Sequence, residues 1–333
     1  GTRAAVRGRA ALQIRESYLE AARRQGSPTL PLGMFDSGTG GLAVLEEILR
    51  LDAFDNVTHA PRARGDGRPD FEAERFVFLA DQANMPYGNY PAAGKRSFLS
   101  ELTLKDACFL LGNEYSPDPR RDVLARDKSP AKGIVIACNT ATAHGKRDIE
   151  SLIGQAEIDV PLVNVIDAGA EGAIQAIAAT RGSVGVLATR GTVDSGAYPA
   201  AIERLARQAG MLPPVVFQQG SLGLAGAIDG VRDFLLPTAH PPRPDYRGPS
   251  LDNPDARIDA GLLPRYDFDF TNGQMLWQGE PQRPGVLQIN SVENYLAYEV
   301  VSLMEQIRRR PDVPPLAAVV LGCTHFPYFT DVF

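Results

Sequence analysis

The chain has 333 residues, a formal net charge of −6, 44% apolar residues and 22% charged residues. This length fits two domains, and the composition excludes a disordered chain, a transmembrane protein and the basic surface that nucleic-acid binding usually requires. The three cysteines lie far apart and no secretory signal pattern is present, so we expect reduced thiols, a cytoplasmic location and small-molecule partners, with neither nucleic acid nor membrane among them.

Residues 1–30 are predicted to form an N-terminal extension in the form of a helical arm. A helix is expected around Ala10–Arg24, closed by Gly26 and Pro28. We interpret this arm as an added surface helix, with a regulatory or partner-binding arm as the alternative.

Short apolar runs alternate with amphipathic or Ala-rich stretches from residue 31 onward. The predicted strands are Pro31–Phe35, Arg75–Ala80, Gly133–Ala137, Pro161–Ile166, Ser183–Ala188, Val215–Phe217 and Ala317–Leu321. The predicted helices between them are Gly41–Leu51, Lys95–Leu111, Ala168–Thr180, Val193–Gly210 and Val292–Arg310. This alternation is typical of α/β domains, in which buried strands run parallel.

The segment 237–285 breaks this alternation. It contains nine prolines and no sustained helical period, so it is predicted to be a long insertion. A lid or a subunit-contacting arm is one interpretation. The other is a loop held by an aromatic cluster of its own, made of Tyr246, Tyr266, Phe268, Phe270 and Trp277.

Two of the cysteines stand in matching contexts. Cys138 and Cys323 each follow an apolar run and precede polar residues, in GIVIACNT and AAVVLGCTH. Ligands of open α/β sheets bind at the carboxyl ends of strands, so both thiols are predicted to lie at ligand-binding strand ends. The alternative is a pair of buried structural cysteines, which is also the interpretation of Cys108.

A third strand end carries an acid, a hydroxyl and a glycine-rich turn that opens a helix, in Phe35–Gly41. Such a turn favours a bound carboxylate. Asp36 could cap the helix, but Ser37 or Thr39 could do so equally well and leave Asp36 for chemistry. With His325 two residues after Cys323, the sequence indicates two acid/base units facing one ligand.

Two other chemistries use the same residues. A zinc site could take Cys138, Cys323 and His325 as ligands, but the closely spaced Cys or His pairs typical of zinc sites are missing from the sequence. A cysteine hydrolase could combine either thiol with Asp36 and with His325 or His144, and it would leave the second thiol idle.

Six ordered motifs resemble those of glutamate racemase, within the aspartate/glutamate racemase superfamily. They are Phe35–Gly38 with Gly40–Leu42, Met85–Gly88, Ala137–Ala141, Val165–Ile166 with Gly169–Ala170, Leu187–Thr189 with Gly191–Thr192, and Gly322–Pro327. The resemblance covers residues 31–230 and 287–327. It implies two pseudo-symmetric, doubly wound α/β domains with largely parallel sheets and an active site in the cleft between them.

The resemblance implies an isomerase that interconverts L- and D-glutamate without cofactor or metal. Cys138 assisted by Asp36 would act on the D-enantiomer, and Cys323 assisted by His325 on the L-enantiomer. The substrate would be held by Ser37, Tyr87, Gly88, Asn139, Thr140, Thr189 and Thr324. The Asp-Ser-Gly opening implies glutamate rather than aspartate as the partner. The implied role is D-glutamate supply for peptidoglycan, hence cell-wall biogenesis and cell shape, and a homodimer is left open.

The chain departs from the family pattern at three places. Asp229 stands where the family has a glutamate, as a possible auxiliary acid, and Asp167 begins the segment that is Glu-Pro-Gly in the family. Family chains also continue beyond the last motif, whereas this sequence stops at Phe333. The alternative interpretation is a catalytically impaired relative that binds a partner or an amino acid, and it is supported by the Asp229 change, the early stop and the Pro-rich segment 237–285.

The expected organisation therefore has four parts. They are the arm at 1–30, a first α/β domain at 31–165 with Asp36 and Cys138, a second at 166–326 with Cys323, His325 and the 237–285 insertion, and a shortened return to the first domain at 327–333.

Overall fold

The computed structural model describes residues 2–118, 120–121, 123–236, 238, 241–280 and 283–333, with side chains from residue 7 onward. The chain divides into two compact units, Gly1–Val165 (unit 1) and Ile166–Phe333 (unit 2). Among the described residues, no helix is both long and apolar enough to cross a membrane.

Unit 1 contains a four-stranded parallel sheet. Its strands are β1 (Leu32–Asp36), β2 (Phe76–Ala80), β3 (Gly133–Ile136) and β4 (Leu162–Asn164). They are ordered β2-β1-β3-β4. The central strands β1 and β3 are largely buried, which explains their continuous apolar runs. Because the strands are parallel, their carboxyl ends share one edge of the sheet.

Five helices are described in unit 1. They are α1 (Thr2–Gln25), α2 (Gly41–Arg50), α3 (Asn89–Ala92), α4 (Arg96–Leu111) and α5 (Asn139–Ala156). The sequence did not predict α5, which contains Asn, Thr and Gly residues of weak helix propensity. Packing explains the glycine: a Cβ on Gly145 would lie 2.3 Å from Cγ2 of Thr103 on α4.

Helix α1 belongs to the core of unit 1, so the interpretation as an added surface helix is wrong. Its buried face joins the main apolar cluster of the unit through Ala11, Ile14, Tyr18 and Ala21. Polar contacts fix its register: Nη1 of Arg7 lies 3.0 Å from Oδ1 of Asp148 on α5. The helix is also longer than the expected Ala10–Arg24.

Unit 2 contains a parallel three-stranded sheet and a separate antiparallel hairpin. Its strands are β5 (Ser183–Thr189), β6 (Val216–Ser221), β7 (Met275–Glu280), β8 (Arg283–Ile289) and β9 (Leu316–Gly322). The parallel sheet is ordered β6-β5-β9, and β7 pairs with β8. The predicted fold class is confirmed: the chain is α/β with largely parallel sheets.

Six α-helices are described between Val165, the last residue of unit 1, and the end of unit 2. They are α6 (Val165–Ile177), α7 (Arg190–Asp194), α8 (Ala197–Gln208), α9 (Leu224–Ile228), α10 (Leu263–Tyr266) and α11 (Val292–Arg308). The predicted strand Pro161–Ile166 is wrong at its end, because Val165 already begins α6. The predicted helix Val193–Gly210 is interrupted: Gly196, at a φ of 68°, begins α8 as a separate helix.

The aromatic residues of segment 237–285 contact one another in two pairs, Tyr266 with Phe268 and Phe270 with Trp277, but the described part of the segment also packs into unit 2. The ring of Tyr266 stacks on Phe268 at 4.8 Å between centroids and lies 5.8 Å from the ring of Tyr298 on α11. The hydroxyl of Tyr246 is 2.9 Å from that of Tyr295, also on α11. The segment therefore shares the apolar core of unit 2.

Candidate active site

Three polar side chains follow the carboxyl ends of adjacent strands in unit 1. Asp36 is the last residue of β1, Asp81 follows β2, and Cys138 comes two residues after β3. Backbone hydrogen bonds align them: the amide of Asp81 donates to the carbonyl of Asp36 at 3.0 Å. These side chains therefore meet at the edge of the sheet where α/β proteins bind ligands.

Cys138 is the N-terminal cap of α5 and is only 6% exposed. Its sulfur accepts a hydrogen bond from the amide of Ala141 at 3.4 Å, and the thiol donates to Oγ of Ser37 at 3.5 Å. Burial and the neighbouring charge of Asp36 raise the pKa of Cys138, against the contacts with Ala141 and Ser37, which lower it. Cys138 is therefore held as a protonated thiol, a proton donor.

Asp36 is buried, and its carboxylate contacts the start of α2. Its Oδ2 accepts a hydrogen bond from the amide of Gly41 at 2.7 Å. Asp36 therefore does bond a helix-terminal amide, whereas the sequence had suggested that Ser37 or Thr39 could take this role in its place. A Cβ on Gly41 would lie 2.7 Å from Cβ of Asp36 and 3.0 Å from Cβ of Ala137. Glycine is required there because the acid approaches the helix so closely.

The loop carrying Tyr87 and Gly88 packs against the same turn. A Cβ on Gly38 would lie 2.6 Å from Sδ of Met85. Tyr87 is 1% exposed, and its hydroxyl lies 2.7 Å from Oδ2 of Asp81 and 2.8 Å from Oδ2 of Asp106. Because the hydroxyl of Tyr87 is already hydrogen-bonded to these two carboxyl groups, the backbone of Tyr87 is better placed than its side chain to bind a ligand.

Cys323 directly follows β9 in unit 2 and is 6% exposed. The backbone before it is tightly enclosed: a Cβ on Gly322 would lie 2.8 Å from Cε2 of Tyr198 and 2.9 Å from Cβ of Ala188. Ala188 pairs with Gly322 across the sheet, so the next residue of β5, Thr189, ends its strand beside Cys323.

His325 links Cys323 to an acid. Its Nδ1 lies 3.6 Å from Sγ of Cys323, and its Nε2 lies 3.1 Å from Oδ2 of Asp229, in an ion-pair contact. Burial lowers the pKa of His325, but the contacts with Asp229 and Cys323 outweigh it and raise the pKa to about 11. The imidazole is therefore cationic at neutral pH and lies beside the sulfur of Cys323.

The remaining predicted binding residues lie at the same strand ends. Asn139 and Thr140 form the buried first turn of α5, and Thr324 is buried between Cys323 and His325. Thr189 caps α7 by accepting from the amide of Thr192 at 3.4 Å. The structure thus groups the predicted residues into two sets, one within unit 1 and one within unit 2.

Sequence comparison finds similarity to glutamate racemases. A glutamate racemase from Limosilactobacillus fermentum is 31% identical over 212 residues, which are 62% of this chain and 62% of that protein. One from Oceanobacillus iheyensis is 31% identical over 174 residues, 52% of this chain and 47% of that protein. The chain thus spans about half to three fifths of the length of these relatives. No family model matches the chain.

The solved structure of a glutamate racemase from Bacillus anthracis has the same fold. It superimposes with a TM-score of 0.52 at 18% identity, covering 91% of this chain and 71% of that one. The chain is thus similar to glutamate racemases over part of its sequence and in its fold.

The chain departs most visibly from the glutamate racemase pattern at Asp229, where the resemblance implies a glutamate. Asp229 follows α9 directly and still comes within 3.1 Å of the imidazole of His325. The shorter side chain therefore keeps the ion pair.

Sequence analysis missed Tyr198 and Asp106. Tyr198 on α8 is 2% exposed and packs on the glycine before Cys323. Asp106 on α4 contacts Tyr87. Neither stands in a motif, and each reaches its site only through tertiary packing. As for the zinc hypothesis, no group of three or more His, Cys, Asp or Glu side chains placed to hold a metal ion is found in the part of the chain that the structure describes.

Proposed function

We propose that the chain is a glutamate racemase that moves the α-proton of glutamate with two thiols, independently of any cofactor or metal. The observation that carries the proposal is that each strand-end thiol has its own proton-handling neighbour. Burial and the charge of Asp36 raise the pKa of Cys138 and favour the thiol, whereas the cationic imidazole of His325 lies 3.6 Å from the sulfur of Cys323. One acid and one base are what inversion at a carbon requires.

In the proposed reaction of L-glutamate, the Cys323 thiolate takes the α-proton and becomes a thiol. The electron pair of the broken C–H bond passes to the α-carbon and its carboxylate. The Cys138 thiol then delivers its proton to the opposite face and becomes a thiolate, so that D-glutamate leaves. D-glutamate reacts through the same steps in reverse, and both half-sites act on one substrate molecule.

Binding of the substrate is assigned to the polar groups around the two thiols. They are Ser37, the backbone of Tyr87 and Gly88, Asn139, Thr140, Thr189 and Thr324. The proposed role of the product is supply of D-glutamate for peptidoglycan in the cytoplasm. Glutamate rather than aspartate is the proposed substrate, and a homodimer stays a prediction.

Measuring deuterium uptake at the α-carbon tests the proposal. L-glutamate incubated with the protein in D₂O and a chelator should yield D-glutamate whose α-position carries solvent deuterium, detected by NMR after chiral chromatography. Activity that is lost with the chelator and regained with zinc would contradict the metal-independent mechanism. Bound glutamate without any exchange would instead favour the catalytically impaired relative.

Two features that had favoured an impaired relative no longer do so. Asp229 keeps its contact with His325 at 3.1 Å, and the described part of 237–285 is packed within unit 2. Neither feature therefore points to lost chemistry or to a partner-binding arm.

A further inference from the structure

A phenol lies between two carboxyl groups in unit 1. The hydroxyl oxygen of Tyr87 is 2.7 Å from Oδ2 of Asp81 and 2.8 Å from Oδ2 of Asp106. Tyr87 is 1% exposed and Asp106 is 5% exposed. Both distances are those of hydrogen bonds between oxygen atoms.

The three side chains Asp81, Tyr87 and Asp106 must together hold one proton in addition to the phenol proton. A phenol has one proton and can donate only one hydrogen bond. If Asp81 and Asp106 were both ionised, one short contact would join two oxygens with no proton between them, at a buried position where such a contact is costly. One carboxyl group must therefore be protonated and donate to the phenol oxygen.

The surroundings identify Asp106 as the protonated group. Asp81 is half-buried and accepts from Nδ2 of Asn84 at 2.8 and 3.0 Å, which stabilises a carboxylate. Burial, together with the charges of Asp81 and Asp36, raises the pKa of Asp106 to about 7, against Tyr87 and Lys105, which lower it. The proton order is Asp106 to Tyr87 to Asp81.

This proton chain connects α4 to the loop beside the Cys138 thiol. Sδ of Met85, two residues before Tyr87, lies against Gly38, and Ser37 accepts the hydrogen bond of Cys138. The amide of Asp81 donates to the carbonyl of Asp36 at 3.0 Å. Asp81 and Met85 of the loop 81–88 thus contact the Asp36–Gly38 turn, and Asp106 on α4 contacts Tyr87 near the end of the loop.

We propose that Asp106 is a positioning residue, which shares a proton with Tyr87 and Asp81 and thereby fixes the Tyr87–Gly88 backbone for glutamate binding. This inference rests on the proposed function of the same site. Ionisation of Asp106 places two negative carboxylates around one phenol and frees the loop. Glutamate binding should therefore weaken as the pH rises through about 7, while the thiols and their neighbours keep their positions.

Asp106→Asn tests the shared proton, because an amide donates to the phenol oxygen at every pH. Difference infrared spectroscopy at neutral pH should show the carbonyl band of a protonated carboxyl group in the wild type and in the control Asp159→Asn, an exposed acid of the same unit. The wild-type-minus-variant difference spectrum should therefore contain a carbonyl band for Asp106→Asn and none for Asp159→Asn. Burial also raises the pKa of Glu299 in unit 2 to about 7, but its band is common to all three proteins and cancels. Absence of a difference band for Asp106→Asn overturns the assignment, whatever the activity of the protein.

The positioning role is tested by the pH dependence of glutamate affinity. In the wild type, the Kd and KM for glutamate should rise about five-fold across neutral pH, as expected for one net hydrogen bond, with little change in kcat. In Asp106→Asn both constants should stay flat, and in Tyr87→Phe they should stay raised throughout. Equal pH dependence in the wild type and Asp106→Asn overturns the role.

The results also distinguish failure of the positioning role from failure of the proposed racemase function. If only the racemase function is wrong, glutamate or a related amino acid binds with the predicted pH dependence and no racemisation occurs. If glutamate does not bind at any pH, both the positioning role and the proposed function are wrong, and the infrared band alone reports the shared proton.

Discussion

Cys138 and Cys323 differ in the groups that surround their sulfurs. Cys138 lies beside an acid and a hydroxyl at the start of a long helix, and burial raises its pKa. Cys323 lies beside a cationic imidazole that Asp229 holds. The two sulfurs therefore have opposite electrostatic surroundings, with an acid beside Cys138 and a cation beside Cys323.

Replacing either strand-end thiol by serine should remove racemisation. A serine hydroxyl is a far weaker acid than a thiol, so Cys138→Ser and Cys323→Ser should each lower kcat by about 10²–10⁴-fold, measured by chiral chromatography. Cys108→Ser is the matched control, because this half-buried thiol lies on α4. It should keep its turnover and lose at most about 1–3 kcal/mol of stability. Near wild-type turnover in either strand-end variant would refute the two-thiol mechanism.

Removing the charge of Asp229 should lower the pKa of His325. The folded-state pKa of about 11 lies above the ordinary 6.5, so the ion pair adds stability that is complete below pH 6.5 and is lost as the pH rises through about 11. The stability difference between the wild type and Asp229→Asn should therefore be largest below pH 6.5 and shrink towards pH 11. Denaturant unfolding across this range measures it, together with NMR titration of the imidazole.

The charge-conserving variant Asp229→Glu distinguishes an ion pair from simple packing. It should restore much of the pKa of His325, since a carboxylate remains near Nε2. An unchanged His325 titration in Asp229→Asn would mean that the acid does not control the imidazole.

At the scale of elements, the strands of the two parallel sheets were predicted within a few residues of their bounds because buried parallel strands are continuous apolar runs. The same property misplaced the end of β4, where Val165 and Ile166 continue the run but already belong to α6. Strands β7 and β8 of the antiparallel hairpin were not predicted. Helix α5 was missed because its glycine fits a close contact with Thr103 on α4, which sequence periodicity does not report. The thiols were found because they directly follow strands, whereas Asp106 and Tyr198 lie in helices without a local signal.

Helix α1 should contribute measurably to the stability of unit 1. Ile14 is 3% exposed, whereas Leu12, two residues earlier on the same helix, is 57% exposed. Ile14→Ala should therefore cost about 2–5 kcal/mol of unfolding free energy. Leu12→Ala should change it by no more than about 0.5 kcal/mol.

Equilibrium unfolding in denaturant measures both variants of α1. If Ile14→Ala were as mild as Leu12→Ala, α1 would be a detachable arm after all, as the sequence had suggested.

At the scale of the whole molecule, each compact unit carries one strand-end thiol with its own polar neighbours. The proposed reaction uses both thiols and therefore depends on both units.

The proposal that the two thiols of one chain serve one substrate predicts the behaviour of a mixture. Cys138→Ser and Cys323→Ser each leave one half-site intact. If every active site takes both thiols from a single chain, the two variants refolded together should racemise glutamate no faster than either alone. Cys108→Ser refolded with either variant is the control, and its activity should follow the amount of the Cys108 variant. Recovery of activity in the first mixture would mean that unit 1 of one chain works with unit 2 of another, because only mixed oligomers could then combine an intact Cys138 with an intact Cys323.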